Sequence, residues 1–226
     1  MRGVEVPHDR ARVRRYSGGA MGRDLTSTES QTFWDAVTFA ERFFMRLDEV
    51  HSAMRKLCET LEADGIPYAI AGAMALNAHG YIRTTTDVDV LMTAEGLAAF
   101  KAKHLGLGWV ERVPGARGMR DTEFNVKIDI LVTGDYPGDG KPKPVRFPDP
   151  GVAIRGANFF VLSVKDLVEL KLASGMSSAD RMKDLADVQE LIRHARLPLE
   201  LQDSLDLMVR DRYAEIWNAT TTSPDD

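Results

Sequence analysis

Asp87 and Asp89, in the run Thr84-Thr85-Thr86-Asp87-Val88-Asp89-Val90-Leu91-Met92, are the residues of this chain best placed to do chemistry. Side chains of a strand alternate between faces, so a strand here projects both carboxylates from one side and Val88, Val90 and Met92 from the other. Two anions placed that way repel, and Asp suits strands poorly, so the arrangement is costly unless a cation lies between them. Hard carboxylate oxygens suit Mg²⁺ or Mn²⁺. A third acid, Asp129, lies in a later alternating run over 119–132. There Phe124, Val126, Ile128, Ile130 and Val132 share one face, and Glu123, Asn125, Lys127 and Asp129 share the other. If the two strands are neighbours, ~5 Å apart, the three carboxylates come within reach of two divalent ions. Such a site suits in-line displacement at phosphorus. One ion would activate the attacking hydroxyl while the other neutralises the leaving oxygens. Asp87 and Asp89 would hold both ions; Asp129 would hold the catalytic one and take the proton.

The elements that position these groups follow from periodicity and punctuation. Apolar residues recur at helical spacing from Thr32 to Ala63, through Phe33, Val37, Ala40, Phe44, Leu47, Val50, Met54, Leu57 and Leu61, and the pattern ends at Asp64-Gly65. Pro67 to Ala71 reads as a short strand. Gly72 and Ala73 then open a short helix ending at His79-Gly80, and a turn of small residues before a helix lets backbone amides approach phosphate oxygens. After the Asp-x-Asp strand come a helix over about 94–104, a strand near Trp109 to Val113, the alternating strand, and a Gly-, Pro- and Lys-rich surface loop over 133–150. A last strand near Phe159 to Leu162 leads into helices. Ser163 to Asp166 and Ser177 to Asp180 both have the form of capping boxes, Pro198 opens a third helical stretch, and another runs through Ile216.

Composition bounds the class. With 226 residues, 44% of them hydrophobic, the chain has room for one good-sized core. No apolar run approaches the ~20 residues of a membrane span, and the Arg-bearing N-terminus lacks the apolar stretch of an export signal, so a cytoplasmic protein is expected. Residues 1–28 read as a flexible tail or an upstream extension, with Arg10, Arg12, Arg14 and Arg15 as solvated charges and nucleic-acid contact as the alternative. A net charge of −5 argues against a general nucleic-acid coat, though not against a polyanionic substrate met by metal ions. The single cysteine, Cys58, reads as a packing residue.

Gly72-Ala73, Asp87-Val88-Asp89 and Ile128-Asp129-Ile130 together resemble the DNA polymerase beta-like nucleotidyltransferase superfamily, whose pattern is an apolar strand, Gly-Gly or Gly-Ser, a spacer, Asp-x-Asp and a third acid on a later strand. The spacer of thirteen residues from Met74 to Thr86 is at the long end for that family. Arg83, Lys171 and the run Arg181-Met182-Lys183-Asp184-Leu185-Ala186-Asp187 further resemble its minimal, abortive-infection-type branch, found in toxin–antitoxin systems. The resemblance covers about residues 66–193. It implies an α/β (α+β) fold: a small mixed sheet with helices on one face, flanked by an N-terminal helix and a C-terminal helical lobe. The divisions expected are 1–28 tail, 29–64 helix, 65–162 core and 163–226 lobe. It also implies transfer of a nucleoside monophosphate from a nucleoside triphosphate to a hydroxyl acceptor, an RNA, protein or small molecule, with two Mg²⁺ or Mn²⁺ ions at Asp87, Asp89 and Asp129. Gly72, Ala73, Arg83 and Lys171 would hold the nucleotide, and the same resemblance implies a toxin–antitoxin partner. Ala73 departs from the pattern, because the family's Gly or Ser there is replaced by a residue without a phosphate-binding hydroxyl.

Blander readings stand beside these. Asp87 and Asp89 also fit a solvated strand edge, and Asp129 a cross-strand ion pair. Arg83 either clamps phosphate or pairs with an acid, and His79 reads as a helix-end cation. Lys183 and Asp187, four apart, form a natural helical pair, while Asp184 and Asp187 also fit as braces for the basic residues. Catalytically, the alternative is a nucleotidyltransferase-fold binding or regulatory module that no longer turns over. Haloacid-dehalogenase-type phosphatases fit worse, since Thr84 to Thr86 precede the first Asp where those enzymes place the apolar strand.

Overall fold

The apolar stripe read from the sequence becomes a helix, α1, over residues 48–63 of the computed structural model, which describes residues 48–156 and 158–222. The expected tail and the stripe from Thr32 through Leu47 lie outside the described residues. Val50, Met54, Leu57 and Leu61 are buried as their spacing requires, together with Cys58, whose thiol burial pushes up to about 11. That is a packing cysteine, as expected. Gly65 ends the helix at φ +66°, with Gly65 N–H donating to Glu62 and Ile66 N–H to Leu61. This pair of reversed bonds closes a helix at a left-handed residue, which glycine adopts without a Cβ penalty.

Seven strands form one mixed sheet among the described residues: β1 Tyr68–Ile70, β2 Asp87–Met92, β3 Trp109–Glu111, β4 Met119–Asp121, β5 Lys127–Val132, β6 Ile154–Arg155 and β7 Phe160–Val161. Their spatial order is β3-β4-β5-β2-β1-β7-β6. The β2·β5 and β1·β7 pairs are parallel and the others antiparallel. Helices α2 Gly72–Ala78 and α3 Ala94–His104 follow β1 and β2. The chain ends in α4 Val164–Gly175, α5 Met182–His194 and α6 Leu207–Thr222. No helix of the described residues is long and apolar enough to cross a membrane.

Alternation along β2 sends its residues into two different cores. Val88, Val90 and Met92 pack with Leu57 of α1 and Phe100 of α3, whereas Leu91 on the opposite face packs with Val168, Leu172, Val188 and Val209 of the C-terminal helices. The α/β class, the leading helix and the helical lobe are therefore as expected. Helices cover both faces rather than one, because Ala69, Leu91 and Val161 give the lobe an apolar landing on the second face. Asp87 and Asp89 share that second face with Leu91, at the end the lobe leaves open.

Two local expectations change. The alternating run over 119–132 is not one strand but the β4–β5 hairpin, turned by Asn125 at φ +55°. Asp121 drives the turn: its Oδ1 accepts the amides of Glu123 (3.0 Å) and Phe124 (2.8 Å), a local bond that competes with continued strand. The second box, Ser177 to Asp180, does not cap a helix. Ser177 Oγ donates instead to the Ser174 carbonyl and accepts the Asp139 amide, and a single 3₁₀ turn over Ala179–Arg181 precedes α5. The first box forms as read, with Ser163 accepting the Asp166 amide at 3.1 Å.

Asp121 is fully buried and its Oδ2 lies 2.7 Å from Lys56 Nζ of α1. Lys56 also reaches Glu123, an exposed residue, at 3.0 Å. Removing the buried acid leaves two turn amides unpaired and takes from Lys56 its buried partner, so Asp121→Ala is expected to lower unfolding free energy by ~3 kcal/mol in urea titrations. Glu123→Ala, at the rim, is expected to change it by under ~1 kcal/mol.

Candidate active site

The two acid-bearing strands are direct neighbours. Parallel pairing of β2 with β5 sets Asp89 opposite Asp129 and Asp87 opposite Lys127. Neighbouring strands run ~4.8 Å apart, and residues two apart along a strand share a face. All three acids therefore rise from one face of two adjacent strands. Thr85 Oγ1 donates to Asp87 Oδ1 at 2.5 Å and fixes the first of them.

Asp89 carries most of the strain. Burial, then the charges of Asp87 and Asp129, push its carboxyl up to about 6, while Lys171 and Arg83 pull it back. No hydrogen bond reaches this carboxylate among the described residues. Gly72 lies directly against it: a Cβ built at position 72 would fall 1.8 Å from Asp89 Oδ2, and the backbone there has φ +55°. Both the close approach and the left-handed backbone require glycine. The Ala71 N–H donates to the Asp89 carbonyl at 2.9 Å and pins the turn to the strand. No side chain caps the first turn of α2.

A cavity of about 750 Å³ opens beside these groups, and Gly72, Ala73, Arg83, Asp87, Asp89 and Lys171 all line it. Its cations are held in place by acids of the lobe. Asp187, 2% exposed, accepts from Arg83 Nη1 at 2.5 Å and from Lys171 Nζ at 2.7 Å. Lys171 also donates to Asp184 Oδ1 at 3.0 Å, and Ser174 Oγ to Asp184 Oδ2 at 2.6 Å. Of the alternatives, Arg83 thus does pair with an acid, and Asp184 and Asp187 brace the basic residues. The Lys183–Asp187 pair does not form, because Asp187 turns inward to its two cations while Lys183 stays exposed. His79 bonds the Leu162 carbonyl through Nε2 at 2.8 Å.

Asp129 is differently engaged. It is not part of the cavity wall; its Oδ1 accepts from Arg112 Nη1 at 2.8 Å and its Oδ2 lies 3.7 Å from Lys127 Nζ. In this arrangement no three acidic, histidine or cysteine side chains converge on one ion-sized point among the described residues. The donor set nevertheless fits a hard divalent ion. It offers only carboxylate oxygens, including one strained acid with no hydrogen-bond partner, under a turn stripped of side chains by Gly72.

Sequence reading missed the wall formed by the 133–150 segment. Asp135, Tyr136 and Phe147 line the cavity from it, Asp135 pairs with Arg117, and Val145 is buried. The signal was present as three large apolar residues, Tyr136, Val145 and Phe147, in an otherwise Gly- and Pro-rich stretch.

No family model matches the chain, and no curated protein matches it. Among solved structures it is similar to the solution structure of the antibiotic-resistance factor ANT(2'')-Ia. The identity is 15%, with 80% of this chain and 100% of that one covered and a TM-score of 0.49. At that distance the chain's own residues carry the functional reading.

Ionised Asp89 costs the folded state more than the unfolded one, since its folded value of about 6 lies above an unfolded value of about 3.9. The cost is absent below about pH 4, grows through the interval to pH 6, and is complete above it. In EDTA, Asp89→Asn is therefore expected to be more stable than the parent at pH 7.5 by on the order of 2 kcal/mol, with the gain gone at pH 4. Urea denaturation at the two pH values measures it. Gly72→Ala is expected to lose at least ~1 kcal/mol at any pH, from strain and from the displaced carboxylate.

Proposed function

We propose that the chain is a nucleotidyltransferase that moves a nucleoside monophosphate from a nucleoside triphosphate to a hydroxyl acceptor and releases pyrophosphate. One observation carries this reading: Asp89 and Asp129 are register partners on adjacent parallel strands, with Asp87 on the same face and Gly72 against Asp89. Mg²⁺ or Mn²⁺ ions held by Asp87, Asp89 and Asp129 would supply charge neutralisation of the phosphates and a more acidic acceptor hydroxyl. Asp129 takes the acceptor's proton. The freed oxygen bonds to the α-phosphorus, the bond from that phosphorus to the bridging oxygen breaks, and pyrophosphate departs with the electron pair.

The remaining residues position the donor. Gly72 lets the turn close directly against Asp89, and the amides that follow it, Ala73 included, carry no side-chain cap. Arg83 and Lys171 present fixed positive charge on the cavity wall, oriented by Asp187 and Asp184 rather than free to sweep. A triphosphate donor also fits a cytoplasmic setting. RNA, a protein side chain and a small molecule each remain chemically compatible acceptors, and the Arg83 and Lys171-to-Asp187 signature is what supports the abortive-infection-type branch.

Ala73 favours a second reading: a nucleotide-binding module of a toxin–antitoxin-like pair that holds its ligand without turnover. Incubating the protein with Mg²⁺, each α-labelled triphosphate and a fractionated cell extract separates the two. The enzyme reading expects label in one acceptor fraction, pyrophosphate release, and a loss of at least ~100-fold in Asp89→Ala. Nucleotide binding with no transferred label from any of the four triphosphates would establish the binding module instead.

A further inference from the structure

The ammonium of Lys127 stands in the gap between the first and third acids. Its Nζ lies 3.8 Å from Asp87 Oδ2 and 3.7 Å from Asp129 Oδ2. The sheet register places it there, because Lys127 is the β5 partner of Asp87 and precedes Asp129 by two residues on the same face. Neither separation is hydrogen-bond length; the ammonium acts as a point charge shared by two carboxylates. Arg112 engages the other oxygen of Asp129, Oδ1, at 2.8 Å. The two cations thus divide the third acid, one holding Oδ1 and the other screening Oδ2.

Exposure distinguishes this cluster from the one around Asp187. The side chains of Lys127, Asp87 and Asp129 are 34%, 29% and 34% exposed, so water reaches the gap and the lysine has room to leave it. The cations that face Asp187 are instead sealed against a buried acid.

We propose that Lys127 is a resident counter-ion of the acid cluster: it fills the gap between Asp87 and Asp129 when no divalent ion is bound, withdraws when one enters, and so sets the site's affinity for divalent ions. The proposal rests on the metal-dependent reading above. An entering ion must displace an ammonium that already offsets part of the carboxylate repulsion, which weakens its binding. Arg112 keeps Asp129 aimed at the gap throughout, since its bond uses the oxygen that Lys127 does not face. A site tuned this way holds divalent ions firmly only when a triphosphate brings further oxygens with it.

Titration of Mn²⁺ into nucleotide-free protein, followed by the free-ion resonance signal, tests this on the wild type, Lys127→Met, Lys127→Arg and Asp89→Asn. Lys127→Met is expected to tighten Mn²⁺ binding about tenfold and Lys127→Arg to stay near the wild type, while Asp89→Asn weakens binding at least about tenfold. Binding in Lys127→Met equal to or weaker than wild type, with Asp89→Asn still impaired, overturns the counter-ion role alone. Mn²⁺ binding indifferent to Asp89→Asn overturns the metal-dependent reading as well. A measurement on the wild type stands apart from variant folding: acetylation of Lys127, read by mass spectrometry, is expected to rise several-fold as Mg²⁺ saturates the site. Unchanged labelling across that range overturns the proposal.

Discussion

Repulsion among three carboxylates on one sheet face is the constraint around which the second face of this protein is arranged. The chain cannot relieve it by shifting register. Val88, Val90 and Met92 of β2 and Ile128 and Val132 of β5 are buried against α1 and α3, and a one-residue slip of either strand would trade them for Asp87, Asp89 or Asp129. The apolar core on one face thus fixes the charges on the other. Gly72 then presses the turn after β1 against Asp89, which removes the space where a side chain could have bonded its carboxylate. What stays behind is an acid that burial and its neighbours hold near a value of 6, with relief only from charges at a distance.

Those charges come from the helical lobe and from the segment after α2, and their orientation depends on a buried acid. Asp187 faces inward from α5 and accepts from both Arg83 and Lys171, which arrive from the segment after α2 and from α4. Three pieces of chain distant in sequence therefore meet at one carboxylate. A buried charged cluster contributes little net stability, since desolvation offsets much of the attraction, but breaking one partner is costly. Its effect here is geometric: it fixes two cations on the wall of the cavity that Asp87 and Asp89 also line.

Much of this was legible in the sequence, for reasons that particular residues make clear. The Asp-x-Asp strand, the strand and helix on either side of Gly72, and the helices over Ala94–His104 and Val164–Gly175 follow from periods and caps that act locally. Periodicity does not fix which strands pair; the structure sets β2 beside β5 with Asp89 and Asp129 in register. The hairpin over 119–132 reads as one strand because alternation continues through the turn. Only the Asp121 carboxylate, folded back onto two amides, and Asn125 at positive φ break the strand. The 133–150 segment reads as surface because its composition is that of a loop. Its role as a wall depends on Tyr136 and Phe147 meeting residues far away in sequence. Partners chosen by long-range geometry, such as Arg83 and Lys171 rather than Lys183 for Asp187, or Arg112 for Asp129, leave no periodic trace at all.

The two charged clusters on this face are built to different ends, and burial is what separates them. Around Asp187 the acid is sealed and its cations cannot leave without stranding a charge in the interior, so that cluster holds one arrangement. Around Asp87 and Asp129 every partner is about a third exposed, each ion pair is longer than a hydrogen bond except that of Arg112, and solvent can take up a departing ammonium. Attraction at such a site is easily exchanged, one cation for another, at small net cost. The proposed transfer would use both: cations locked in one arrangement on the cavity wall for the groups that are only held, and replaceable charge beside the acids that react.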